Sequence, residues 1–211
     1  QCMFVRPEAV DDGGMSGRQT VSEGMVFAVL KRLGFTSELF AMQGEVWFYN
    51  SVAANYYKHR EIIYAEDRNV GKPIDDMRLV PELEESMLRY PKGKHTIILH
   101  TKGSHHLYTS RYPRSFAWYT PECMNNELPC AQEELLNSYD NSLAYTDHVL
   151  GEVIERLKDR KAVLIYTSDH GESIEKTAQL HGAPKHVAPR EQRMVPLVIW
   201  ASKPFLQDPR N

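Results

Sequence analysis

The run Ala162-Val-Leu-Ile-Tyr166, followed at once by Thr167-Ser-Asp-His-Gly-Glu-Ser173, constrains this chain more than any other segment. A short apolar run rich in branched residues reads as a central strand of a parallel sheet, buried on both faces. Open α/β sheets carry their chemistry at the carboxyl ends of such strands. Asp169 and His170 therefore emerge where a divalent cation can be held, and Gly171 lets the backbone turn beside them. The same residue types also make an ordinary polar turn, so spacing alone leaves both readings open.

The rest of the chain is consistent with a soluble α/β unit. Its 211 residues suffice for a sizeable core, and 42% hydrophobic with 25% charged residues excludes a disordered chain. A formal charge of −3 gives no global attraction to nucleic acid, so an anionic partner has to meet a local basic surface. No apolar run approaches the roughly 20 residues that span a bilayer, and Gln1-Cys-Met-Phe-Val-Arg6 lacks the plan of a signal peptide.

Helical and strand patterns alternate along the sequence. Residues 7–19, with Pro7, Gly13, Gly14 and Gly17, read as a mobile loop. Thr20 and Glu23 fit a capping box for a helix bearing Val26, Val29, Leu30 and Leu33, stopped by Gly34. Glu38 to Met42 reads as a strand, and residues 43–74 as a mixture of short helix and loop. A helix is expected from Asp75 to about Tyr90 and a strand over Thr96 to His100, which empties into Thr101-Lys-Gly-Ser-His-His106. From Gln132 to Lys158, Leu136, Tyr139, Leu143, Thr146, Leu150, Val153 and Leu157 recur at helical spacing, predicting a crossover helix with that stripe inward. Val195 to Ala201 reads as a further strand.

The side chains with chemistry gather in the loops. His105, His106, His170 and His181 lie in three loops that these connections bring to one sheet edge, and imidazole suits both zinc and proton transfer. The other reading is of solvated loop residues, His106 first among them. Among three cysteines, Cys123 and Cys130 sit close enough to close a small ring or to remain two free thiols. Cys2 is left over.

These residues carry a resemblance. Thr167-Ser-Asp-His-Gly-Glu-Ser173, Leu180-His-Gly-Ala-Pro184, Ala188-Pro-Arg-Glu-Gln192, His100-Thr-Lys-Gly-Ser-His105, Arg111-Tyr-Pro113 and Asn137-Ser-Tyr-Asp-Asn-Ser142 together resemble the catalytic domain of membrane-anchored phosphoethanolamine transferases, in the alkaline phosphatase and sulfatase superfamily. Cys2-Met-Phe-Val-Arg6, Phe27-Ala-Val-Leu-Lys31, Trp47-Phe-Tyr49 and Gly71-Lys-Pro73 look most like the branch acting on the Kdo sugar of lipopolysaccharide. Relatives acting on lipid A often carry a further cysteine pair near Ile62 to Met77, which this sequence lacks.

The resemblance implies a three-layer α/β sandwich with a mostly parallel central sheet, incomplete at its amino end. It implies Asp169 and His170 as metal ligands, zinc as the metal, and His105 and His181 as the catalytic histidines beside the transferred phosphate. It also implies a Cys123–Cys130 disulfide and an oxidising periplasm. Lys102, Arg111 and Lys185, with Arg114 and Arg190 nearby, are candidates for the anionic groups of substrate. The donor would be phosphatidylethanolamine, the acceptor lipopolysaccharide, and the location the periplasmic face of the inner membrane. The family's threonine nucleophile, a glutamate ligand and the transmembrane helices are expected upstream of Gln1, making the 211 residues one fragment of a catalytic domain. Two other readings stand beside this one: a phosphatase or sulfatase in which water is the acceptor, and a metal- or lipopolysaccharide-binding module without catalysis.

Overall fold

The structure, a computed structural model, describes residues 10–11, 20–21, 26–42, 57–62, 75–124, 130–174, 181 and 186–210. The chain forms two compact units, Gln1–Val70 with Pro81–Thr101, and Gly71–Val80 with Lys102–Asn211.

In the first unit, β1 (Val10–Asp11) and β2 (Thr20–Val21) pair antiparallel. The expected mobile loop thus contains a strand, and Thr20 lies in a ladder rather than at a helix cap. Glu23 falls outside the described residues. Helix α1 (Val26–Arg32) ends where Gly34 adopts a φ of +80°, a conformation costly to other residues. Strand β3 (Phe35–Ala41) is central, flanked in parallel by β4 (Tyr57–Ile62) and β5 (Lys94–His100), with Leu39 opposite Ile98 and Phe40 opposite Leu99.

Strand β4 corrects the expectation of helix and loop over residues 43–74, part of which lies outside the described residues. Its sequence Tyr-Lys-His-Arg-Glu-Ile lacks the apolar run of a central strand, in keeping with its place at the edge of the sheet among the described residues, where charged residues are acceptable and discourage further pairing. Helix α2 (Leu79–Arg89) enters this unit at Pro81 and contributes buried Leu83, Ser86 and Met87. Glu38 on β3 is fully buried; its carboxylate accepts Arg89 Nη1 at 2.6 Å and the Ser86 hydroxyl.

The second unit opens on a 3-10 turn, Asp76–Arg78, whose cap Asp75 accepts the Met77 amide at 3.0 Å. Two further 3-10 turns, Tyr108–Ser110 and Arg114–Phe116, precede helix α3 (Gln132–Leu157). The α3 start is secured by the Glu134 carboxylate, which accepts the Ala131 amide at 2.9 Å.

The buried face of α3 differs from the expected stripe. Ser138, Asn141, Ser142, Tyr145, Val149 and Val153 are buried, whereas Leu136 and Leu143 are exposed. The reason is that the polar members of this face are bonded: Asn141 Oδ1 accepts the amides of Trp118 and Tyr119, both at 2.9 Å, and Ser138 Oγ accepts the Cys123 amide at 2.8 Å. Bonded polar groups can be buried at little cost, so hydrophobicity alone misplaces the face. Tyr112, Tyr145 and Val149 form the core here, joined by Met77, Phe116 and Ala117.

Strand β6 (Val163–Thr167) pairs antiparallel with β7 (Leu197–Ala201), and short helices α4 (Arg190–Arg193) and α5 (Lys203–Leu206) flank β7 in sequence. Ile165 stands opposite Ile199, and both side chains are largely exposed. The expectation that β6 is a buried parallel strand is thereby corrected: an apolar run marks a segment that pairs into a sheet, but partner direction and the cover on each face are long-range matters.

Candidate functional site

The loop after β5 is held from beneath. Asp76 Oδ1 accepts the Lys102 amide at 2.9 Å and Oδ2 accepts the Gly103 amide at 2.8 Å. Burial pushes the Asp76 carboxyl above the usual range, while the two amides and Arg111 oppose that rise. Gly103 has a φ of +58°, which lets the chain fold over this carboxylate. Arg111, itself buried, donates from Nε to the His105 carbonyl at 3.2 Å and from Nη2 to the His106 carbonyl at 2.9 Å.

Thus fixed, the loop presents two adjacent imidazoles whose Nδ1 atoms lie 2.9 Å apart. His181 joins them, its ring centroid 5.2 Å from that of His105 and 5.9 Å from that of His106, and it stacks on His170 at 4.7 Å. One nitrogen each from His105, His106 and His181 fall within 4.8 Å of one another, as do donors from His170, Glu172 and His181. Burial, assisted by Lys102, His106 and Arg111, pushes the His105 imidazole down to about 4. Burial and then Arg111 lower His106 too. Both rings are consequently neutral near pH 7, the state in which imidazole accepts a proton or ligates a metal.

The loop after β6 supplies the other side. The Ser168 hydroxyl donates to the His170 carbonyl at 2.6 Å, and the Gly171 amide donates to the Gln192 carbonyl at 3.0 Å. A Cβ on Gly171 would lie 2.0 Å from the Glu191 carbonyl oxygen and 2.7 Å from that of Met194. Glycine is thus required here by close backbone approach to α4, not by a turn. Beyond it, Glu172 has a side chain only 5% exposed. Its Oε2 accepts the hydroxyl of buried Tyr108, and its Oε1 lies 3.0 Å from His181 Nδ1.

The anticipated residues are distributed unevenly. His105, His170 and His181 come together. Asp169 has a side chain 68% exposed, with Oδ1 at 3.8 Å from His170 Nε2, and stands outside both donor groups. Lys102 is close enough to depress His105. Arg111, anticipated at the substrate, is turned to the loop carbonyls. Lys185 lies outside the described residues, as does Cys2. Cys123 and Cys130 are disulfide-bonded.

Sequence reasoning missed Glu172 and Tyr108. It gathered His106 with the other histidines but left it open between site and solvated neighbour, because adjacent histidines carry no periodic signal. Glu172 offered one in its position two residues after His170, beside a strand end; Tyr108 offered none.

No described helix is long and apolar enough to cross a membrane. The sequence is 50% identical over 211 residues to Kdo(2)-lipid A phosphoethanolamine 7''-transferase of Escherichia coli (strain K12), a match covering 100% of this chain and 37% of that relative. The chain therefore spans little more than a third of that relative's length. The integral membrane lipooligosaccharide phosphoethanolamine transferase A (EptA) from Neisseria meningitidis superposes with a TM-score of 0.77 at 27% identity, covering 98% of this chain and 39% of that one. The C-terminal periplasmic domain of phosphoethanolamine transferase EptC from Campylobacter jejuni gives 0.70 at 31% identity, covering 85% and 56%. These neighbours give the chain an alkaline phosphatase/sulfatase-like α/β fold and make it a homologue of phosphoethanolamine transferases. The Sulfatase family model matches residues 5–210, and the chain belongs to that family.

Proposed function

We propose that this chain forms part of the catalytic domain of an enzyme that moves phosphoethanolamine from phosphatidylethanolamine to a Kdo sugar of lipopolysaccharide, at the periplasmic face of the inner membrane. The observation that carries the reading is the cluster of His105, His106 and His181 beside Lys102, with two rings held neutral, in a chain half identical to a Kdo(2)-lipid A phosphoethanolamine transferase. The complete domain, on this reading, is a three-layer sandwich around a mostly parallel sheet.

The donor set fits a divalent cation, most readily zinc. Imidazoles and a carboxylate are its usual ligands, and such donors meet here, with Asp169 Oδ1 3.8 Å from His170 Nε2. Asp169 and His170, the ligands that the family resemblance implies, would hold it. When bound, such an ion lowers the pKa of a coordinated hydroxyl and offsets phosphoryl charge.

The reaction class is two successive phosphoryl transfers. In the first, the threonine oxygen that the family resemblance supplies forms a bond to phosphorus as the bond to the diacylglycerol oxygen breaks. The threonine proton passes to a neutral imidazole, which returns it to the departing diacylglycerol oxygen. In the second, a sugar hydroxyl bonds to phosphorus, its proton passes to a neutral imidazole, and the threonine oxygen leaves and takes that proton back. His105 and His181 are the proposed proton carriers, and Lys102 lends positive charge to the phosphoryl oxygens. Arg111 contributes by holding the histidine loop.

The test is transfer from labelled phosphatidylethanolamine by the membrane protein containing these residues, with the product located by mass spectrometry. Label on Kdo is expected, with a loss of at least about a hundredfold in His181→Ala, in keeping with removal of a general acid–base group. Release of free phosphoethanolamine without a labelled sugar would identify a hydrolase instead.

A further inference from the structure

Glu172 is counted among the possible metal donors, yet both of its oxygens face protein groups. Oε2 accepts the Tyr108 hydroxyl, and Oε1 sits 3.0 Å from His181 Nδ1. The side chain is 5% exposed, and Tyr108 itself is buried. Burial and the carboxylate together push the Tyr108 hydroxyl well above its ordinary range, so it remains a donor throughout the neutral region. Neither Glu172 Oε1 nor His181 Nδ1 has another hydrogen-bond partner among the described residues, and the two atoms lie 3.0 Å apart.

We infer that Tyr108 and Glu172 are positioning residues, a buried hydroxyl–carboxylate pair that fixes the orientation and tautomer of His181. The logic is electrostatic. A buried carboxylate with one oxygen occupied by a hydroxyl is best satisfied at the other by a donor, which draws the imidazole proton to Nδ1. Nε2 is then the unprotonated nitrogen, free for the reacting group or a metal. A carboxylate behind a working imidazole is a general means of setting its tautomer and raising its basicity. Tyr108 extends the arrangement by one member: it fixes the carboxylate, and its own place is set by the 3-10 turn Tyr108–Ser110 and by edge-on contact with Tyr139 at 5.2 Å. This assigns Glu172 to orientation rather than ligation and leaves His105, His106 and His181 as the group that meets the substrate phosphate.

The assignment of roles rests on the proposed phosphoryl transfer, but its test does not. Long-range nitrogen–proton NMR on the 211-residue chain, recorded metal-free near pH 8, reads the tautomer directly; the His181 signals are identified by their loss in His181→Gln. The Nδ1-protonated form is expected to predominate. Glu172→Ala should shift the population toward the Nε2-protonated form, and Tyr108→Phe should shift it in the same direction by less. Glu172→Gln, which keeps an acceptor oxygen and the side-chain volume, should recover part of the original population and guards against a folding defect in the alanine variant. His181 protonated at Nε2 in the parent chain, or an unchanged tautomer in Glu172→Ala, would overturn the inference. In the membrane protein, Glu172→Ala and Tyr108→Phe should each lower transfer by about 10–100-fold. An inactive parent protein with the expected tautomers would count against the transferase reading and leave the orienting pair standing.

Discussion

Arg111 reaches back six residues to donate to the carbonyl of His105 at 3.2 Å, and its second contact, at 2.9 Å, secures the carbonyl of His106. One buried guanidinium thus sets the backbone from which two imidazoles project.

Replacing Arg111 with alanine removes two charge-assisted bonds and leaves two partly buried carbonyls to find water. A loss of about 2–3 kcal/mol is expected in urea unfolding, each such bond being worth roughly 1.5–3 kcal/mol with incomplete additivity. Arg111→Lys should recover less than half, because a single ammonium cannot reproduce the planar fork. Amide exchange across residues 104–107 should accelerate in both variants, and unchanged exchange would show that Asp76 alone secures the loop.

The His105 imidazole titrates near 4 in the folded chain and near 6.5 as an unperturbed group. Between those values the unfolded state binds more protons, so stability rises with pH through that window and is flat with respect to this residue above it. Acidifying the metal-free chain from pH 6.5 to 4 should therefore weaken it, and His105→Gln should flatten the slope. The lowered His106 acts in the same direction, so some slope should survive the substitution. Urea midpoints measured across the window test this.

At Gly171 the nearest obstacles to a side chain are the carbonyl oxygens of Glu191 in α4 and of Met194 just after it, at 2.0 and 2.7 Å from a notional Cβ. Neither can swing aside as a flexible side chain would. Gly171→Ala is expected to cost about 1–3 kcal/mol through overpacking and to displace Glu172 from His181. A thermal melt should register the first effect, and loss of the Nδ1-protonated His181 signal the second.

Cys123 and Cys130 are bonded across a sequence separation of seven, and the sequence contains three cysteines. One free thiol per chain is expected in denatured, unreduced protein, and reduction should cost on the order of 2–3 kcal/mol by the loop-closure argument. Three titratable thiols before reduction would refute the pairing. Because the Cys123 amide also bonds to Ser138 on α3, the reduced protein should first loosen around the α3 amino end.

What the sequence determined is largely local. The helix at Leu79–Arg89, the long helix from Gln132, and the strands around Ile98, Ile165 and Ile199 were legible because apolar spacing, capping carboxylates and branched runs act over a few residues. The ordered motifs around His105, Asp169 and His181 carried the resemblance to phosphoethanolamine transferases. Tertiary structure decided the remainder. It made polar Tyr57–Ile62 a strand by giving it an edge beside β3, and it turned α3 so that Asn141 and Ser138, satisfied by distant amides, are buried in place of Leu136 and Leu143. It drew His106 into the cluster and set Glu172 between Tyr108 and His181, residues 64 and nine positions away in sequence. It turned Arg111 toward the chain's own carbonyls. In each case the deciding term is the satisfaction of a buried polar group by a partner far along the chain, and no local pattern of residue types records where that partner will be.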